Sequence, residues 1–171
     1  MLESFKNFIK VTLIGAPLLN KMIGILFISM LPIIELRGAI PIGAAIGLPW
    51  YLNMSVSIVG NMLPVPFILL FSVKAFEFMK KHNIMVKFIE KIENRAKKRS
   101  EGLATGEFIG LMLFVAIPFP GTGAWTGALI AALLQFNRKR SFFYIGLGVV
   151  IAAVIMTLAS YGVISLFAPK H

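Results

Sequence analysis

Apolar residues fall into two broken blocks, 22–50 and one opening near Gly106, each followed by a longer apolar run. Before the first block, Leu2, Phe5, Phe8, Ile9 and Leu13 recur at helical spacing with Lys6, Asn7 and Lys10 between them. That pattern predicts an amphipathic helix over 2–14 lying in a membrane interface. The 22–50 block holds Pro32, Gly38, Pro41, Gly43, Gly47 and Pro49. A bilayer-crossing helix needs about 20 residues, so two spans do not fit, and one unbroken helix would carry Pro32 and Pro41 inside it. A re-entrant hairpin over 22–48 remains, with 22–34 entering, 35–38 turning and 39–48 returning. Backbone of that kind is tolerated at depth only when buried in protein or lining a watery cavity.

Residues 51–79 read as a spanning helix anchored by Trp50 and Tyr51 at one end and Lys80-Lys81 at the other. Gly60 to Pro66 should kink it near its centre, and Asn61 there calls for a hydrogen bond to a neighbouring helix. Residues 83–99 repeat the in-plane pattern. Ile84, Met85, Phe88, Ile89, Ile92 and Ala96 share one face, and Lys and Arg occupy the other. A second hairpin is expected over 106–136 and a second spanning helix over 141–167.

The chain thus repeats itself. At an offset of 86, Ile23-Gly24 falls on Ile109-Gly110, Pro32 on Pro118, Ser55 on Ser141 and Gly60 on Gly146. The repeats are 1–82 and 83–171, each an in-plane helix, a re-entrant helical hairpin and one long transmembrane helix. With one crossing per half, the second half lies upside down relative to the first, the inverted-repeat plan of secondary transporters. The expected fold is an all-α integral membrane protein built as an inverted repeat.

Composition agrees: 58% of the 171 residues are hydrophobic and 14% charged. A net charge of +10 could suit nucleic acid, but eight of the seventeen Lys and Arg lie between Lys80 and Arg99, and three more form Arg138-Lys139-Arg140. Clusters beside apolar runs mark a cytoplasmic side and attract anionic lipid headgroups. The expectation is therefore a multi-pass cell-membrane protein with 80–102 cytoplasmic, both termini opposite, and no nucleic-acid partner. Glu3 and Asn20-Lys21 make the first residues unlike a cleavable signal peptide. There is no Cys, and both His residues lie outside the apolar blocks, so neither a catalytic triad nor a metal cluster is expected at depth. The reading is not an enzyme, with no cofactor. Two spans enclose little space, which points to a homo-oligomer, most simply a dimer.

The candidate chemistry sits in the two turns. Glu35 and Arg37 interrupt the first apolar block, where a single charge costs roughly 2.5–3.5 kcal/mol on insertion scales. Residues two apart on a helix point away from each other, so sharing a cavity requires the turn to unwind between Glu35 and Arg37, which Gly38 and Pro41 favour. The second turn offers Pro120, Gly121, Thr122 and Gly123 for close backbone approach and a hydroxyl, and Trp125 as an apolar wall. Turn tips entering from opposite leaflets would meet at the membrane centre. Glu35 would then carry a proton, and Arg37 would hold an anion. Such a site favours an amphiphilic anion, for example a lipid phosphate. Proton-coupled efflux of drugs or lipophilic cations and a non-transporting assembly factor are the alternatives.

At Glu35-Leu-Arg-Gly-Ala-Ile-Pro41 and Phe119-Pro-Gly-Thr-Gly-Ala-Trp125 the chain resembles the small multidrug export protein family, over essentially its whole length. That family is similar to the DedA superfamily, which includes lipid scramblases with a VTT domain. The resemblance implies paired re-entrant hairpins and roles in moving lipid phosphates and in proton-motive-force-dependent drug and pH tolerance. DedA proteins carry an acidic residue followed by Pro, similar to Glu35 and Pro41. They also carry Phe-x-Pro-Gly-x-Arg in the second hairpin. Here Phe119-Pro120-Gly121 lacks the intervening residue, Gly123 stands at the Arg position, and the arginine is Arg37 in the first hairpin.

Overall fold

The computed structural model describes residues 17–71, 104–119 and 121–167. The in-plane helices expected over 2–14 and 83–99, the last turns of 51–79 and Pro120 lie outside them. The described residues form helices and turns, with no strand among them. In order they are α1 (Leu18–Met30), α2 (Glu35–Ala45), α3 (Trp50–Phe71), α4 (Ala104–Ala116), α5 (Ala124–Leu133) and α6 (Arg138–Phe167). In α3 and α6 the stretches Trp50–Phe71 and Arg138–Val163 are long and apolar enough to cross a membrane. The helices of α1, α2, α4 and α5 run to 13, 11, 13 and 10 residues, so the longest is about 20 Å, short of a crossing.

The chain folds as two compact units. One comprises Met1–Asn61 with Ala152–His171, the other Met62–Ile151. The first holds α1, α2, the first half of α3 and the end of α6. In it, Ile25 and Ile28 of α1 pack with Ala39 of α2 and with Ile46 and Leu48 beyond it. The helix α1 stops because Leu31 precedes Pro32. The proline ring drives the residue before it out of helical space, and Leu31 is extended at φ −71°, ψ 132°. The turn therefore occupies Leu31 to Ile34, not the 35–38 expected from sequence, and Glu35 already opens α2.

The second unit holds α4, α5, the rest of α3 and the first half of α6. Its α5 turns small residues inward: Ala124, Gly127, Ala128, Ala131 and Ala132 are all buried. Around Phe108 of α4, Tyr144 stacks at 5.3 Å between ring centroids and Phe136 tilts at 5.4 Å.

Both units use the same local devices. Where α2 ends, the Leu48 N–H donates to the Gly43 carbonyl and the Gly47 N–H to that of Ala44. Where α5 ends, the Phe136 N–H donates to Ala131 and the Gln135 N–H to Ala132. This paired closure needs one residue in the left-handed region, Gly47 at φ 77° and Gln135 at φ 55°. A side chain there costs about 1–2 kcal/mol. Gln135→Gly should therefore raise stability by about 1 kcal/mol, after allowing for glycine's greater freedom when unfolded. Reversible unfolding in mixed micelles reads this directly, and an unchanged or lowered stability would contradict it.

Candidate functional site

The first unit holds a buried ion pair. At 4% exposure Glu35 is nearly sealed, and the Arg37 guanidinium donates to its Oε2 at 2.5 Å. Two residues apart on a regular helix the side chains would diverge by about 200°. The pair forms because Glu35 is itself irregular: its φ is +49°, left-handed backbone that a non-glycine residue rarely adopts. Its N–H still donates to the Leu31 carbonyl at 2.9 Å, so the twist is held inside a hydrogen-bonded turn. The unwinding expected between Glu35 and Arg37 is thus found at Glu35 itself. Gly38 and Pro41 both lie within α2. Gly38 gives its N–H to Ile34 at 3.0 Å, and a Cβ there would stand 2.4 Å from the Ile34 side chain. Pro41 has no N–H to give the carbonyl four residues back, which softens α2 between the ion pair and its far end.

That far end is clamped. Asn53 of α3 is fully buried, and its amide donates to the Ile40 carbonyl at 2.8 Å and to the Tyr161 hydroxyl at 3.0 Å. Tyr161 of α6 in turn donates to the Leu48 carbonyl at 2.6 Å. Gly43 makes room for this, because a Cβ on it would lie 2.1 Å from the side-chain Oδ1 of Asn53. Lys21 of α1 adds a bond from Nζ to the Ile46 carbonyl at 2.8 Å, placing a cation at the negative end of α2. Three helices thus fix the element whose first turn carries Glu35 and Arg37.

The sequence reading did not single out Asn53 or Tyr161. Asn53, Ser57 and Asn61 recur every four residues in an apolar helix and are all fully buried, a signal that would have found the first. Nothing local marks Tyr161. Asn61 was expected to bond a neighbouring helix. Its amide is instead buried with no partner on either atom.

In the second unit the turn runs Ile117-Pro118-Phe119, then Gly121-Thr122-Gly123. Gly121 is exposed at φ 88°, a conformation that selects glycine. The Thr122 hydroxyl, expected to face a ligand, lies 2.8 Å from both the Ile117 and Phe119 carbonyls and locks the turn. Gly123 is the N-cap of α5, and Trp125 stands half-buried in that helix's first turn. No group of three or more His, Cys, Asp or Glu side chains among the described residues could hold a metal ion.

No curated protein and no solved structure matches this chain. A family described as "Putative small multi-drug export protein" does, over residues 35–155, from the carboxylate of the buried pair to the middle of α6. With two membrane-length helices and a match over more than half its length, the chain is a membrane protein that belongs to the small multi-drug export protein family.

Proposed function

We propose that the protein is a transporter that moves an amphiphilic anion, of the lipid-phosphate kind, together with a proton. The observation that supports this reading is the buried Glu35–Arg37 pair on a strained backbone. While Glu35 is ionised, it occupies the guanidinium. A proton on the carboxylate removes that competitor and leaves Arg37 to hold a phosphate or carboxylate headgroup. Proton and anion then bind together, and lower pH favours the loaded state. In this reading α1–α2 and α4–α5 are re-entrant hairpins, Arg138 to Arg140 face the cytoplasm, and the kinship extends to the DedA superfamily.

The family's description favours a second reading, export of drugs. A lipophilic cation would need the Glu35 carboxylate and would be repelled by Arg37 close by.

Purified protein in liposomes with a fluorescent lipid-phosphate reporter separates the two. The wild type should move the reporter faster as the donor side is acidified. Glu35→Gln, which mimics the protonated carboxyl, should lose that pH response, and Arg37→Ala should lose transport. Circular dichroism checks that both variants fold. A wild type inert toward the anion but moving a lipophilic cation in a Glu35-dependent way would replace this reading with drug export.

A further inference from the structure

At one end of the second unit, Pro66, Leu69 and Leu70 of α3 and Phe142 of α6 wall an open groove of about 310 Å³. Arg138 and Lys139, in the first turn of α6, complete its lining. Leu69 is buried at 4% exposure and forms the floor, while Leu70 and Phe142 remain 47% and 42% exposed. Neither cation has a carboxylate partner among the described residues. The positive end of a 30-residue helix lies beside them, with Asn137 capping the Arg140 N–H at 3.2 Å.

We propose that this groove is a binding site for one anionic glycerophospholipid of the surrounding membrane. Two cations with no carboxylate partner among the described residues share the groove with four apolar residues of two membrane-length helices. That combination matches a lipid, with a charged phosphate headgroup and an apolar acyl chain. Charge complementarity sets the class, because a zwitterionic headgroup presents no net charge to Arg138 and Lys139. Near an anionic surface each such cation contributes about 1 kcal/mol, or about fivefold in affinity. The site is independent of the transport reading and belongs to a different unit from the Glu35–Arg37 pair.

Native mass spectrometry on protein released from mixed micelles of equimolar phosphatidylglycerol and phosphatidylcholine tests it. The wild type should retain phosphatidylglycerol at least about fivefold over phosphatidylcholine. Arg138→Gln with Lys139→Gln should bring the two lipids to parity. Arg140→Gln removes a neighbouring charge that does not line the groove, and it should leave the preference intact. Parity in the wild type would overturn the proposal. So would an equal loss in Arg140→Gln, which would mean diffuse attraction to the basic cluster. Displacement of the lipid by soluble glycerol phosphate would make this a site for free anions, not lipid. Disulfide dimers of Leu70→Cys in phosphatidylglycerol vesicles would assign the groove to a second copy of the chain.

Discussion

Arg37→Ala will destabilise the protein by about 3–5 kcal/mol at neutral pH, because it strands the Glu35 carboxylate inside the first unit without its cation. The loss exceeds the worth of the ion pair itself, since most of it is the cost of keeping a buried carboxylate without its cation. Two controls separate these effects. At low pH the carboxylate can take up a proton, so the penalty of Arg37→Ala should shrink as pH falls. The double variant Glu35→Gln with Arg37→Met carries no buried charge and should recover most of the lost stability. Unfolding of the three proteins in mixed micelles across pH measures all of this. A penalty below about 1 kcal/mol for Arg37→Ala would mean that solvent reaches Glu35.

The second large effect lies where a short helix of each unit meets a long one. Gly60 of α3 lies against α1, where a Cβ would be 2.0 Å from the Ser29 hydroxyl and 2.5 Å from the Leu26 carbonyl oxygen. Gly148 of α6 lies against α4, where a Cβ would be 2.6 Å from the Met112 carbonyl oxygen and 2.8 Å from the Val115 Cβ. A flexible side chain could move aside, but a helix carbonyl cannot without shifting its helix. Gly60→Ala and Gly148→Ala should each cost about 1–3 kcal/mol. Gly146→Ala is the matched control, because its Cβ would meet only the end of Met62 at an ordinary 3.5 Å. Its stability should stay within about 0.5 kcal/mol of the wild type. If all three alanines behave alike, helix propensity and not close approach governs these sites.

These glycines show what the sequence could convey. Leu26 and Ser29 fall on Met112 and Val115 at the offset of 86, yet the glycine facing them shifts by two, from Gly60 to Gly148. Identity had aligned Gly60 with Gly146, because one glycine looks like another until the carbonyl beneath it is known. Breaks at Pro32 and Pro118 were legible for a stronger reason, since proline restricts the residue before it wherever it occurs. That Glu35 and Arg37 pair was also legible, as two charges in an apolar run need each other. How they pair was not. The spacing called for unwinding between Glu35 and Arg37, but nothing in residue type marked Glu35 itself as the left-handed residue. The Thr122 hydroxyl has acceptors in its own turn, the Ile117 and Phe119 carbonyls, which residue type alone does not show. Tyr161 could not be found at all, being 108 residues from the Asn53 it meets.

That separation sets an order on biogenesis. Helices of 10–13 residues are too short to cross a bilayer alone. The second unit is contiguous, Met62–Ile151, and every contact within it becomes available once the first half of α6 has been made. The first unit carries Glu35 and Arg37 yet also takes in the end of α6, whose Tyr161 hydroxyl donates to the Leu48 carbonyl. Closure of the first unit around the Glu35–Arg37 pair, through Tyr161, therefore waits for residues made after Ile151, the last of the second unit.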